Sequence, residues 1–159
     1  MKKRLIQTLL CVTVLALLGL SGFAQAADPI IGTWVLNVAK SKFSPGPATK
    51  SETRTYVAAG AEVNASSKGV DGDGKATTGE WTINYDGKDR PQTGNPDADT
   101  LSLKRVDANT TEFTQKKAGK AVMTGTRVIS KDGKTMTITT KGTNAKGQAV
   151  NTVEVFEKK

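Results

Sequence analysis

Histidine is absent from this sequence, and its single cysteine, Cys11, lies near the amino terminus. Those two absences exclude the usual Ser-His and Cys-His nucleophile systems and most zinc, copper and haem sites. No catalytic residue, metal ligand or cofactor site is expected on that ground. Aromatics are scarce too. Beyond residue 26 there are only seven: Trp34, Phe43, Tyr56, Trp81, Tyr85, Phe113 and Phe156. Outer-membrane barrels need aromatic girdles at both interfaces, and single-strand nucleic-acid binders need stacking platforms; seven scattered rings supply neither. No stretch after residue 27 keeps a helical period for three turns, and none is an apolar run of membrane-spanning length.

The one long apolar run lies at the start. Lys2, Lys3 and Arg4 precede a mostly apolar stretch from Leu5 to Leu20, and no further charge appears until Asp28. Ala24-Gln25-Ala26 supplies the small-x-small pattern read by signal peptidases, so residues 1–26 are expected to be a cleaved signal peptide. A retained anchor is the alternative, since a spanning helix needs about 20 residues; the small-residue site and the loop-like Ala27-Asp28-Pro29 argue for cleavage. Cys11 follows Leu10 inside the run, which is the wrong place for a lipid-bearing cysteine. The mature chain, 27–159, is then one domain of 159 − 26 = 133 residues, periplasmic or secreted, without a disulfide and not membrane-spanning once processed.

Removing the three basic leader residues from 23 Lys+Arg leaves 20 against 15 Asp+Glu, a net charge of +5. Sixteen of the 20 are lysines spread along the whole chain. A nucleic-acid binder gathers its cations on one stripe; here they read as a solvated exterior, and no nucleic-acid partner is expected.

Glycine turns divide the mature chain. Asp73-Gly74-Lys75, Asp86-Gly87-Lys88, Ala118-Gly119-Lys120, Asp132-Gly133-Lys134 and Lys146-Gly147-Gln148 suit tight hairpins, with Asp107-Ala108-Asn109 as another turn. Between them, residues alternate with period two: Trp81, Ile83 and Tyr85 against Thr82 and Asn84; Leu101 and Leu103 against Ser102 and Lys104; Met136 and Ile138 against Thr137 and Thr139; Val153 and Val155 against Thr152 and Glu154. This predicts strands near 30–38, 50–59, 62–70, 75–85, 99–106, 110–117, 120–130, 134–143 and 148–157. Longer loops are left at Ala39–Thr49 and Gly87–Ala98. A meander of this kind removes its edges by closing, so an antiparallel up-and-down β-barrel of about 8–9 strands is expected, with a two-sheet sandwich as the rival.

Gly32-Thr33-Trp34, at the start of the first strand, resembles the opening signature of the lipocalin and fatty-acid-binding superfamily. The wider stretch from Gly32 to Pro47, and the hairpin from Asp132 to Lys158, are similar to small exported bacterial proteins of lipocalin-like type, so the resemblance covers nearly the whole mature chain. It implies a barrel whose tryptophan plugs one end. Lipocalins usually stack an arginine near the last strand on that tryptophan; here the last strand offers Lys158, with Arg127 two strands earlier. Ala39–Thr49 is 11 residues with two prolines, too short and rigid for the two-helix lid of fatty-acid-binding proteins.

The resemblance implies an apolar or lipid-like small-molecule ligand inside the barrel. Trp34, Trp81, Tyr85, Arg127 and Met136 are the candidate binding residues: Trp34 a core plug at its simplest, Trp81 and Tyr85 lining or filling the interior, Arg127 a cation for a ligand carboxylate. The ordinary case for an arginine is an outward charge paired with a neighbour. Asp71-Gly72-Asp73-Gly74-Lys75 looks like a calcium loop but lacks a distal glutamate and reads as a turn. Two other functions fit the composition: an envelope interaction or inhibitor module acting through Ser44–Pro47 and Arg90–Pro96, or a carboxylate-based enzyme. Oligomeric state is not encoded in any of these features.

Overall fold

The computed structural model describes residues 28–159; the leader expected at 1–26 lies outside the described residues. Ten strands follow in order: β1 (Gly32–Leu36), β2 (Ser51–Ala59), β3 (Glu62–Val70), β4 (Ala76–Ile83), β5 (Arg90–Pro91), β6 (Thr100–Arg105), β7 (Thr110–Lys117), β8 (Lys120–Ile129), β9 (Thr135–Thr143) and β10 (Ala149–Lys158). Among the described residues the only helix is a single 3-10 turn, Val38–Lys40. No helix there is long and apolar enough to cross a membrane.

All ten strands belong to one antiparallel sheet, ordered β4-β3-β2-β1-β10-β9-β8-β7-β6-β5. Each neighbouring pair in that order is consecutive in the chain except β1 with β10, which joins the chain's first and last strands. The sheet's two edges then meet. Trp81 bridges Gln92 and Asp86 bridges Lys104, while the Thr93 N–H donates to the Glu80 carbonyl at 2.9 Å and the Gly87 N–H to Leu103 at 2.9 Å. The result is a nearly closed barrel rather than a sandwich. The tenth strand is the two-residue β5, inside the segment read from sequence as an unbroken loop. Pro91 lacks the donor that a longer run of pairing would need, so no hydrophobic alternation announces it. Gly94 lies so close to the Thr78 carbonyl that a Cβ there would collide with it, which keeps this seam tight.

The turns follow their sequences. Ala118 and Gly119 both take positive φ, 48° and 77°, the two-residue geometry whose twist matches flanking antiparallel strands. Asp71 is a turn residue: its Oδ1 accepts from the Asp73 N–H at 3.0 Å and the Lys75 N–H at 2.8 Å. The 39–49 segment forms no lid. It runs beside β10 after β1 ends, exchanging backbone hydrogen bonds between Lys42 and Val153 at 2.7 and 2.8 Å.

One end of the barrel is packed solid. Ile30, Trp34, Ile83, Met136 and Phe156 are fully excluded from solvent there. The Trp34 Nε1–H donates to the Ile30 carbonyl at 2.7 Å, and the Lys158 ammonium sits 5.1 Å over the indole. Lys158, not Arg127, therefore takes the stacking place on the tryptophan. Its aliphatic stem explains Gly32: a Cβ at that position would approach Lys158 Cε to 2.8 Å, and the backbone there has φ +127°. Asp28 fastens the entering chain to the same end, accepting from Tyr85 Oη at 2.7 Å and pairing with Arg105. Arg105 also lies 3.8 Å over the Tyr85 ring.

One strand presents the opposite face to that expected. β10 turns Phe156 into the core and Thr152 and Glu154 towards the interior, so Val153 and Val155 point outward. Phe156, the last aromatic, sets the register: a buried ring at 156 forces the even positions inside.

Candidate functional site

Above the packed end the barrel is hollow. A cavity of about 640 Å³ opens at the other end, within the ordinary size range for small-molecule sites. Its rim is built from Phe43–Pro47, Gln92–Asp97 and the β9–β10 hairpin around Asn144–Gln148. Both proline-containing loops that suggested a separate interaction surface thus frame the cavity mouth. Hydrogen bonds hold the rim in shape: Asp97 Oδ1 accepts from the Ala145 N–H at 2.8 Å, and the Asn151 N–H donates to the Ser44 carbonyl at 2.8 Å.

The wall is part apolar, from Trp81, Leu101, Leu103, Phe113, Met123 and Ile138. Against this stand charged side chains that face the same space: Glu52, Arg54, Arg127 and Glu154 in the wall, with Asp71, Asp97 and Lys146 also in the lining. β2 supplies two because Glu52, Arg54 and Tyr56 share its inward parity. Arg54 is paired with both carboxylates. Its Nε donates to Glu52 at 2.8 Å and its Nη2 reaches Glu52 at 3.1 Å and Glu154 at 3.3 Å. The guanidinium also lies 4.6 Å over the Phe156 ring and 5.9 Å over Trp81. Burial by itself would lower the Arg54 pKa, but the two carboxylates hold it well above its ordinary value. Glu154 is shifted the other way from a simple ion-pair partner: burial pushes its carboxyl up, Glu52 adds to this, and Arg54 only partly offsets it.

Arg127 is different. It is 6 % exposed, it makes no salt bridge, and its Nη2 has no hydrogen-bond partner among the described residues. The ordinary expectation of an outward, paired arginine is overturned by parity, since Arg127 shares its face with Met123 and Ile129 on β8. Beside it is Tyr56, whose ring centroid lies 5.8 Å from the guanidinium carbon. Tyr56 is 1 % exposed and its hydroxyl is likewise unpartnered. The tyrosine is held edge-on to Trp81, with ring centroids 6.0 Å apart. A buried, unmet guanidinium beside a buried, unmet hydroxyl is costly in an empty site and complementary to an anion.

No protein-family model and no curated protein matches the chain. Among solved structures it is similar to the zebrafish ileal bile acid-binding protein complexed with cholic acid, at 14% identity over 82% of this chain and 99% of that one, with a TM-score of 0.49.

The five residues singled out from sequence divide between the two ends. Trp81 and Arg127 line the cavity; Trp34, Met136 and Tyr85 do not, the first two filling the packed end and Tyr85 joining the Asp28 lock. Sequence reasoning passed over Tyr56, Glu52, Arg54 and Glu154. The signal existed: Glu52 and Arg54 keep the parity of Tyr56, and Glu154 that of Phe156, so charges alternate in phase with aromatics. Among the described residues no three His, Cys, Asp or Glu side chains are grouped as a metal site would require.

Proposed function

We propose that this protein is an exported, non-enzymatic binding protein that carries a small amphipathic organic anion inside its barrel, in the periplasm or outside the cell. The acid group meets Arg127 and the Tyr56 hydroxyl, and the apolar part lies along Trp81, Leu101, Leu103 and Phe113. The observation that carries this reading is Arg127: a cation 6 % exposed, facing a cavity, with no anion of its own. The fold spends free energy to keep it there, and an anionic ligand returns it. Export rests on the leader pattern at 1–26 and on the small-x-small site at Ala24–Ala26. Binding rather than catalysis is favoured by the lack of histidine and of any cysteine in the mature chain.

Calorimetric titration of the mature protein with decanoate and with 1-decanol tests the reading. Decanoate should bind more tightly, and Arg127→Leu should weaken it about 10- to 100-fold, the worth of one charge-assisted contact. Decanol binding should be unchanged or improved by the substitution. Equal affinities for acid and alcohol, or an Arg127→Leu protein that binds decanoate normally, would remove the anion from the account.

A further inference from the structure

The cavity holds a second polar pole that an organic acid with a plain hydrocarbon tail leaves unused. Arg127, Ile138 and Glu154 face one another in a single register row across β8, β9 and β10, with Ile138 in the middle. The two charged positions are therefore two strand spacings apart, about 9.6 Å. Around Arg54 the charges do not cancel: Glu52 and Glu154 both pair with one guanidinium, which leaves a net negative pole. Arg54 spends its two better contacts on Glu52 and gives Glu154 only the 3.3 Å bond to Oε2. Glu154 Oε1 accepts no hydrogen bond among the described residues, although the side chain is only 15% exposed and lines the cavity. The interior is thus bipolar, with an unpaired buried cation and a buried hydroxyl at one side and an under-used carboxylate at the other.

We infer that the ligand is bifunctional: an amphipathic acid that also bears a hydrogen-bond donor, a hydroxyl or an ammonium, which reaches Glu154 across the apolar step of Ile138. This inference rests on the anion-binding reading above and narrows it. A donor on the ligand completes the coordination of Glu154 without disturbing the Arg54 pairs, because Arg54 holds Oε2 and the side chain lines the cavity. A saturated hydrocarbon tail laid over the same place would strip water from Glu154 and give nothing back, so it is disfavoured there. Burial already pushes the Glu154 carboxyl up, in keeping with a group short of partners.

The test is a comparison of decanoate, 10-hydroxydecanoate and 10-aminodecanoate by calorimetric titration of the mature protein. A wholly apolar cavity prefers decanoate, since the added polar group favours water. The bipolar cavity should reverse that order, with one of the two substituted acids binding about fivefold or more tighter than decanoate. The hydroxyl and ammonium arms show which donor Glu154 takes. Glu154→Leu should abolish the preference, and a far-UV circular dichroism spectrum and urea transition like the parent's show that the variant is folded. Glu154→Gln, which keeps the shape, should lose preference for the amino acid first. Decanoate binding best to the unaltered protein, or a preference that survives Glu154→Leu, overturns the inference while leaving the anion site standing. Binding of none of the three acids removes the anion site and the inference with it.

Discussion

Replacing Arg127 by leucine should make the empty protein more stable, and the size of the gain follows from the surroundings. Arg127 is 6 % exposed and its Nη2 finds no partner. An unmet buried donor costs roughly 1–3 kcal/mol, more when charged. The Tyr56 ring at 5.8 Å returns about 0.5–1 kcal/mol as a cation–π contact. Arg127 lines an open cavity rather than a sealed core, so the lower part of the range applies. Leucine removes the charge, keeps an apolar contact with Ile138 across the β8–β9 pair, and should stabilise by about 1–2 kcal/mol. For a domain of this length that is an increase in Tm of about 3–10 °C. Urea denaturation followed by far-UV circular dichroism gives the free energy directly, and an unchanged m-value shows that the unfolded state is not altered. Adding decanoate should then raise the stability of the parent more than that of the variant. At a hundredfold excess over the parent's Kd the parent gains about 2.7 kcal/mol, and the variant, binding about 10- to 100-fold more weakly, gains about 0.4–1.4 kcal/mol, so the gap between them narrows or reverses. An Arg127→Leu protein less stable than the parent by 1 kcal/mol or more would show that the fold itself needs this cation, and the reasoning from an unmet group would fail.

Other outcomes follow from the same structure. Tyr85 is pushed up to about 12, mainly by burial and by its bond to Asp28, against the pull of Arg127 and Arg105; its contribution should be complete below pH 10 and lost as pH rises through 12, so Tm should fall over that window in the parent and less in Tyr85→Phe. Asp28 is shifted the other way: burial would raise it, but the bonds from Tyr85, the Ile30 N–H and Arg105 leave it lowered. Asp28→Asn should therefore cost about 1 kcal/mol above the ordinary carboxylate range, and the difference in Tm from the parent should close as pH falls through the lowered Asp28 value. Gly32→Ala should destabilise by about 1–3 kcal/mol, because φ is +127° and the new Cβ meets Lys158; a variant within 0.5 kcal/mol of the parent in urea denaturation would contradict that contact. Trp81 lines the cavity and Trp34 does not, so ligand-dependent quenching of tryptophan emission should vanish in Trp81→Phe.

Much of the fold was legible because period two and glycine turns are local signals. The strands at 62–70 and 110–117 have the bounds expected from alternation, and the others differ at their ends by two residues or fewer, β1 by two at each end. There the chain leaves the strand at Asn37, whose side chain accepts the Lys40 N–H at 3.1 Å and starts a 3-10 turn. β5 was invisible because two residues carry no period. The inward face of β10 was misread because valines outweigh Thr152 and Glu154 in any hydrophobic count, whereas the interior here is partly charged. For the same reason the cavity's polar half escaped notice. A rule that places charges outside is sound for a packed core and misleading for a hollow one. Arg127 was identified as a candidate by residue type, but only the β8 pairing shows which way it points.

The central claim is that an acid group sits against Arg127 inside the barrel, and the ionisation of that acid tests it most directly. Decanoate labelled with ¹³C at its carboxyl carbon can be titrated by NMR in the free and protein-bound states. Beside an unpaired guanidinium the bound carboxyl should titrate below the free acid, and Arg127→Leu should raise it. A bound carboxyl that titrates above the free acid, as burial in an apolar barrel alone would dictate, would contradict the account.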